Sequence, residues 1–396
     1  FRVANIDYDD PATYEMLTRG ETMGIFQLES TGMTQVLMSM RPKNLEDVIA
    51  LISLYRPGPM DSIPTYLRNR KDPSKVVYQT PQMAHIVDVT NGVVIYQEQV
   101  MQICRELAGF SFGQADNVRR AMSKKKLKVM EAEREHFVHG CTEPGKECAG
   151  CVKNGIPEAV ANQIYDDMIS FASYAFNKSH ATCYSWVAYQ TAYVKAHYPA
   201  EFMAALMTRR FSQITEITKL MEECKALKIS TLGPDVNESQ IGFGVNKKGE
   251  IRFGLSAIKG MGTPAAEAIV SEREKNGPYK DIFDFAERVN LANVNRKAFE
   301  SLAYSGGFDG FGVMREQFFT PNAKGELFID LLVRYGQRYQ MDKANAGLSL
   351  FGSEDVTVVH PPLPKTERWA AIEKLNKERE LVGIYLSAHP LDEYAV

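Results

Sequence analysis

A run of basic residues is the stretch of this sequence best suited to bind an anion. Six lysines and arginines, and no acidic residue, lie between Asn117 and Met130 of a chain whose formal net charge is −3. If this stretch is helical, Arg120 and Lys124 project from one side and Arg119 lies at its border. Arginine and lysine donors there would suit phosphate oxygens. The opposite, apolar face would hold three residues at i, i+3 and i+7: Ala115, Val118 and Met122.

The same run also fits an ordinary solvated helix face. Asp116 stands four residues before Arg120, so an i, i+4 ion pair is available. Charge runs are usually solvated, and the sequence pattern alone favours this second interpretation.

A second candidate anion site precedes a long predicted helix that runs from His180 to about His197. Ser179 is expected to cap that helix, with Asn177 and Lys178 just before it. Backbone N–H donors at a helix N-terminus, beside a lysine and a histidine, can bind an anion. A plain capped turn with an exposed lysine is the alternative interpretation.

A cysteine-rich insert at 139–153 has the ligand types for tetrahedral zinc. Cys148 and Cys151 form a C-x2-C pair, Cys141 lies upstream, and His139 is the expected fourth ligand, with His136 as its alternative. Only one C-x2-C pair is present, so free thiols on a loop are an equally open interpretation.

Glycines near residue 260 predict a hairpin between two helices. Such a turn lets the backbone approach a DNA phosphate, because its amides face outward at a helix N-terminus. A second, degenerate copy is expected from Asn295 to Asp309, around Gly306 and Gly307. One such unit alone would equally serve as a packing hairpin between helices. The predicted contact residues of the first copy are Lys259, Gly260, Met261, Gly262 and Thr263.

Length and composition set the general class of the protein. With 396 residues, 44% hydrophobic and 24% charged, the chain suits a globular protein of two or three domains. No apolar run approaches the roughly 20 residues that cross a bilayer, so no membrane partner is expected. Six cysteines in so long a chain favour a reducing cytoplasm. Because the chain begins at Phe1 rather than Met, we expect a fragment.

Seven sequence blocks, in order, resemble the bacterial replicative DNA polymerase III alpha subunits, a C-family polymerase family. Each block alone would be weak, and their shared order makes the resemblance specific. The blocks are GIFQLES (24–30), YRPGPM (55–60), YQEQVM (96–101), RRAMSKKK (119–126), FNKSH (176–180), YQTAYVKAHYPAE (189–201) and FGLSAIKGMG (253–262).

The resemblance implies a mainly α, multidomain fold. It implies a helical fingers domain at 1–232, a tandem helix-hairpin-helix domain with minor β structure at 233–310, and a linker at 311–396 that leads into a C-terminal module. The family's metal-binding aspartates precede the fingers, so Mg²⁺ would bind outside this chain, and the chain alone is expected to be inactive.

Site residues follow from the same resemblance. The incoming triphosphate would be bound by Arg119, Arg120, Asn177, Lys178, Ser179 and His180. Template–primer DNA would be bound by Lys124, Lys125 and Lys126 together with the hairpin 259–263.

A sliding-clamp peptide is expected at 347–351, where Gly347 stands in place of the usual Gln. Leu350 and Phe351 could still anchor it weakly. Other replisome subunits would bind beyond this chain. Two alternative functions remain open: a sequence-independent repair scaffold that uses the hairpins, and a zinc-stabilised protein-interaction module. Neither alternative needs a triphosphate pocket.

Overall fold

The chain folds into two compact units, Phe1–His197 and Tyr198–Val396, in a computed structural model. The structure describes residues 1–124, 126–172, 174–348, 359–388 and 390. These residues are mainly α-helical with one small sheet, which confirms the predicted fold class. The two units divide earlier in the chain than the domain boundary expected near 232, and the predicted domain bounds remain predictions. No helix of the described part of the chain is long and apolar enough to span a bilayer.

The first unit is built from ten α-helices among its described residues. They are α1 (Pro11–Thr18), α2 (Thr31–Met40), α3 (Leu45–Leu54), α4 (Ile63–Lys71), α5 (Ala84–Val87), α6 (Gln97–Ala108), α7 (Phe112–Ser123), α8 (Leu127–His139), α9 (Glu158–Ala172) and α10 (Lys178–His197).

Local sequence explains where the helices of the site begin and end. Helix α6 ends at Gly109, which adopts the left-handed conformation with φ of 75°. Helix α7 begins at a capping box, in which Ser111 accepts from the backbone N–H of Gln114 and the Gln114 side chain accepts from that of Ser111. Cys104 of α6 is fully buried, as its place on the apolar face predicted.

Two apolar clusters form the core of this unit. The first gathers residues of α1 to α4 and α10, such as Leu17, Leu51 and Tyr189. The second gathers residues of α5 to α9, including Ile103 and Phe137. The chain passes between the clusters more than once, since α5 belongs to the second, Val93, Ile95 and Tyr96 contribute to the first, and α6 belongs to the second again. Tyr96 forms an isolated parallel bridge with Phe176.

The second unit contains seven α-helices and three short strands among its described residues. Strand β3 (Ile251–Arg252) lies centrally, parallel to β1 (Thr231–Leu232) and antiparallel to β2 (Gly244–Val245). The helices are α11 (Pro199–Arg210), α12 (Ile214–Ala226), α13 (Thr263–Asn276), α14 (Ile282–Arg288), α15 (Arg296–Ser305), α16 (Phe328–Leu348) and α17 (Ala371–Val382).

Much of the expected linker after residue 310 is folded. Helix α16 packs on α14, and α17 packs on α15. Arg315 and Glu378 are both buried, at 6% and 1% exposed, and form an ion pair of 2.9 Å. The segment 359–370 has no regular secondary structure.

Candidate functional site

Helix α7 presents its two arginines as the sequence pattern predicted. Ala115, Val118 and Met122 are buried in the second apolar cluster, so the opposite face is turned outward. The Arg120 side chain is 64% exposed, whereas that of Arg119 is only 26% exposed. The helix therefore offers one exposed guanidinium and one that is largely buried.

Both arginines pair with the same carboxylate, that of Asp116. Arg119 donates through Nε and Nη2 to Oδ1, at 2.9 and 2.7 Å. Arg120 Nε lies 2.7 Å from Oδ2, which confirms the i, i+4 pair. Hydrogen bonds from Arg119, together with the charge of both arginines, hold the pKa of Asp116 below its usual value. Although adjacent positions on a helix diverge by 100°, the two side chains converge on one group.

Gln97 connects the arginine helix to the chain before α10. Its Oε1 accepts from Arg119 Nη1 at 3.2 Å, and its Nε2 donates to the carbonyl of Ala175 at 3.3 Å. The Gln97 backbone N–H donates to the carbonyl of Phe176 at 2.9 Å, within the parallel bridge between Tyr96 and Phe176. Three of the sequence blocks, around 96, 119 and 176, are therefore joined at one place.

The N-cap predicted for α10 is wrong by two residues. The helix begins at Lys178 rather than His180. Asn177 Oδ1 accepts from the backbone N–H of His180 at 2.9 Å, so Asn177 is the capping residue and Ser179 lies exposed in the first turn. Asparagine caps as well as serine does, and the sequence offered both residues close together.

The start of α10 binds a carboxylate supplied by the protein itself. The backbone N–H of Lys178 donates to both oxygens of Glu98, at 3.2 and 3.0 Å. Lys178 Nζ lies 3.1 Å from Glu46 Oε2 and 5.3 Å from the centre of the Tyr96 ring. A carboxylate thus occupies the position where an anion was expected, which shows that this helix end accepts negative charge.

His180 packs on aromatic rings at the same end of α10. Its ring centre lies 4.5 Å from that of Tyr184 and 5.4 Å from that of Phe176. Tyr184 also contacts Phe26, at 5.5 Å between ring centres. The imidazole is therefore held against Phe176 and Tyr184 while the residue remains exposed.

Arg56 is a residue of the site that the sequence reasoning did not assign. Its Nε donates to the carbonyl of Ser53 at 3.0 Å, and its Nη2 donates to that of Tyr174 at 2.8 Å. Its guanidinium lies 4.1 Å from the centre of the Phe176 ring. Burial lowers the pKa of Arg56 from its ordinary value. Its place before a Pro-Gly-Pro turn was the available signal, because that turn fixes the residue.

The two described lysines that follow α7 lie outside this network. Lys124 and Lys126 are exposed, and Lys125 lies outside the described residues. The backbone N–H of Lys124 ends α7 by donating to Arg120 and Met122 carbonyls. The two described lysines present solvated charge near the arginines.

The cysteine insert does not form the predicted zinc site. No group of three or more His, Cys, Asp or Glu residues able to hold a metal ion occurs in the described ranges. Cys141 and Cys148 face each other across an antiparallel bridge, whereas Cys151 is fully buried in the second apolar cluster. His139 instead faces Glu158, at 3.6 Å.

His136, the alternative fourth ligand, is also engaged elsewhere. Its Nδ1 lies 3.4 Å from Glu133 Oε2. Burial raises the pKa of the Cys148 thiol, and it raises that of Cys151 to about 12. The insert is an ordered hairpin packed on the arginine helix: Gln114 donates to the carbonyl of Lys146 at 2.8 Å.

In the second unit, the predicted hairpin at 259–263 is a tight turn that leads into α13. Gly260 has φ of 86°, and Gly262 is the N-cap of α13. The element before the turn is one 3₁₀ turn, Leu255–Ala257, rather than the expected helix. The Lys259 N–H donates to the carbonyl of Leu381, at 2.8 Å.

The second hairpin differs from its prediction. Gly306, with φ of 88°, ends α15, so the glycine pair terminates a helix instead of joining two. A helix–turn–helix arrangement is formed by α14 and α15, with Asn295 capping α15 through a bond of 3.1 Å from the N–H of Ala298. The predicted tandem, which remains a prediction, would then consist of the turn before α13 and the turn before α15.

Comparison with known proteins places these features in one family. Residues 1–145 match the model of the bacterial DNA polymerase III alpha subunit finger domain, and residues 228–318 match a helix-hairpin-helix motif. The chain is 44% identical over 391 residues to DNA polymerase III subunit alpha of Thermus aquaticus, covering 98% of the chain and 30% of that protein. The chain belongs to the bacterial DNA polymerase III alpha subunit family.

Two further alpha subunits show the same extent of similarity. That of Pasteurella multocida (strain Pm70) is 40% identical over 401 residues, with 99% of this chain and 33% of that protein covered. That of Bacillus subtilis (strain 168) is 39% identical over 392 residues, with 99% and 32% covered. The chain spans about a third of the length of these curated alpha subunits.

The two family models cover different parts of the contacts described above. The finger-domain match contains Gln97, Asp116 and both arginines, and it ends before Asn177. The helix-hairpin-helix match contains the turn before α13 and the turn before α15. The alpha-subunit matches cover nearly the whole chain, so they include α10 as well.

Proposed function

We propose that this chain is the part of a replicative DNA polymerase that binds the triphosphate of the incoming deoxynucleotide and the template–primer duplex. Membership of the alpha-subunit family supports this proposal. The observation that carries it is that Gln97 joins Arg119 to the carbonyls of Ala175 and Phe176, just before Lys178, because the arginines and this lysine stand more than fifty residues apart along the chain.

The electrostatics of the site suit a triphosphate. Arg120 and Lys178 are paired with the carboxylates of Asp116 and Glu46, and Glu98 occupies the amide at the start of α10. A phosphate oxygen can replace the carboxylate of Glu46 or Glu98 in these contacts, and it can accept from the terminal nitrogens of Arg120, since phosphate and carboxylate both accept charge-assisted hydrogen bonds. The role of these residues would be to neutralise charge on the phosphates and on the pyrophosphate leaving group.

Replacement of Arg120 in the intact polymerase tests the triphosphate contact. Arg120→Ala should raise KM similarly for all four deoxynucleotides, by about 10- to 100-fold, because a charge-assisted hydrogen bond contributes about 1.5–3 kcal/mol and the phosphates are common to all four. Steady-state kinetics with each nucleotide measure this. Arg68→Ala, which removes an exposed arginine of α4, is the matched control. A base-selective effect would contradict the proposal.

The chemical step would need metal-binding carboxylates from the rest of the polymerase. The described residues do not supply such a group, so we assign no step of the Mg²⁺ chemistry to them. We therefore expect the chain alone to extend no primer in the presence of template, nucleotides and Mg²⁺.

The turn before α13 would bind the duplex backbone. A Cβ at Gly260 would lie 2.8 Å from Ser301 Oγ, so the glycine lets the turn lie close to α15, and α13 begins at Thr263. Amide donors at such an end bind phosphate without reading sequence. Binding of template–primer DNA should weaken steeply with salt concentration.

A repair scaffold is the alternative that this proposal must exclude. A scaffold would bind duplex DNA through the hairpins with no need of a triphosphate contact. Arg120→Ala would then leave every measured activity unchanged, whereas the polymerase proposal requires the change in KM.

Other partners follow from the family alone. A weak clamp contact through Leu350 and Phe351 remains a prediction, and these two residues lie outside the described ranges. Contacts with further replisome subunits, and a cytoplasmic location, rest on the proposed replication role.

A further inference from the structure

The two arginines of α7 differ in how many of their donors are already used. A guanidinium carries five N–H donors. Arg119 directs Nε and Nη2 to Asp116, and Nη1 to Gln97. All three of its nitrogens are thus engaged within the protein.

Arg119 is also anchored beyond its own helix. Gln97, which accepts from Arg119, donates in turn to the carbonyl of Ala175, and its backbone N–H donates to that of Phe176. Arg119 therefore closes a network that ties α6, α7 and the chain before α10 together.

Arg120 is in the opposite situation. Its only side-chain partner among the described residues is Asp116, which takes Nε at 2.7 Å. The two terminal nitrogens, with four N–H donors, have no partner within the described part of the chain. The side chain is 64% exposed, so these donors face solvent.

We propose that Asp116 is a positioning residue that assigns the two arginines different tasks: it fixes Arg119 inside the fold and directs the free end of Arg120 towards the phosphate. This inference rests on the proposed triphosphate-binding function. One oxygen of the carboxylate serves each arginine, and the group also offsets the repulsion between two adjacent positive charges. If Asp116 formed only an isolated surface ion pair with Arg120, it would not also contact Arg119, and Arg119 would not be bound by Gln97.

A double-mutant cycle in the intact polymerase tests this assignment. If Asp116 acts through Arg120, Asp116→Ala should raise KM for all four deoxynucleotides by about 3- to 10-fold. The Asp116→Ala, Arg120→Ala double variant should then have the same KM as Arg120→Ala alone. A purely structural role for Asp116 would instead multiply the two effects.

Further variants separate position from charge and from folding. Asp116→Asn keeps the shape of the side chain and should give a KM between those of the parent and Asp116→Ala. Glu131→Gln, at an exposed carboxylate of α8, removes one charge without touching the arginines and should leave KM unchanged. If Asp116→Ala fails to fold in a thermal melt, Asp116→Asn takes its place in the cycle.

The possible outcomes distinguish this inference from the proposed function. If Arg120→Ala leaves KM unchanged, the triphosphate site itself is wrong. If Arg120→Ala raises KM but the Asp116 variants do not, or if the two effects multiply, the triphosphate site stands and the positioning role is wrong. Equal KM values for Arg120→Ala and the double variant support the inference.

Discussion

Burial divides the six cysteines into thiols of different reactivity. Cys183 is exposed, whereas Cys104, Cys151 and Cys224 are buried. Burial raises the pKa of Cys151 to about 12, from an ordinary value of 9.0. At any pH below both values, Cys151 then carries about a thousandfold less thiolate than a cysteine with the ordinary pKa. The thiolate is the reactive form.

Alkylation of the folded protein should therefore begin at Cys183. With iodoacetamide at pH 8, peptide mass spectrometry should find Cys183 modified first and Cys151 protected until the chain is unfolded. Cys183→Ser should remove the modification at that peptide and leave Cys151 protected. Rapid modification of Cys151 in the folded state would show that the insert opens, and would revive its interpretation as an exposed thiol loop.

Residue types identified the cations of the candidate site but not their partners. The arginines, Lys178 and His180 were recognisable because charge at a helix face or helix start suits phosphate. Gln97 and Glu98 were not recognisable, since they contact residues 22 and 80 positions away. A glutamine that accepts from an arginine has no local pattern, and only the folded chain brings the two together.

At the scale of elements, the turn before α13 depends on a glycine that no other residue replaces well. Gly260 has φ of 86°, and a Cβ there would lie 2.8 Å from Ser301 Oγ. Gly260→Ala should cost about 1–2 kcal/mol from the left-handed conformation alone. It should also displace Ser301, which donates to the carbonyl of Lys259 at 3.0 Å.

Gly260→Ala should weaken duplex binding in addition to lowering stability, and a control glycine separates the two effects. Gly249 is the matched control, because its φ is 80° and a Cβ there would meet nothing within 4 Å. Both variants should lose stability in urea unfolding, Gly260→Ala the more because it also displaces Ser301, but only Gly260→Ala should weaken template–primer binding in fluorescence anisotropy at low salt. Equal binding by both variants would argue against the hairpin as a phosphate contact.

Helices were predicted better than the turns that join them. The apolar spacing of α7 had a local cause, so the outward face of this helix followed from the sequence. The glycine pair at 306–307 misled, because glycine ends a helix as readily as it joins two. In the fold, the Gly307 N–H donates back to the carbonyl of Leu302 at 2.8 Å, as expected for a helix end.

At the scale of the whole molecule, the C-terminal part of the second unit is held by buried charge. Glu378 of α17 accepts from the backbone N–H groups of Leu386 and Ser387, both at 2.8 Å, and from Arg315 at 2.9 Å. Arg315 is also paired with Asp309 at 2.7 Å. This network explains why the described part of the expected linker is folded. Its buried charges pair with partners about sixty residues away along the chain, and the composition of the stretch does not reveal such pairs.

Removing Glu378 should release α17. Glu378→Ala leaves Arg315 buried with Asp309 alone, and it leaves two backbone donors unpaired, so we expect a loss of about 3 kcal/mol in the free energy of unfolding. Urea unfolding measures the loss, and limited proteolysis should cut near α17 in the variant first. Asp342→Ala, which removes an exposed pair with Arg338 at 3.7 Å, should cost under about 0.5 kcal/mol.

Glu378→Gln separates the two contributions. Glutamine keeps an oxygen that can accept from Leu386 and Ser387 but loses the charge opposite Arg315. If the backbone donors dominate, this variant should recover most of the stability lost in Glu378→Ala, because an unsatisfied buried N–H costs about 1–3 kcal/mol. If it is as unstable as the alanine variant, the ion pair dominates. If neither variant differs from the parent, α17 is held by its apolar contacts with α15, and the buried charges contribute nothing net.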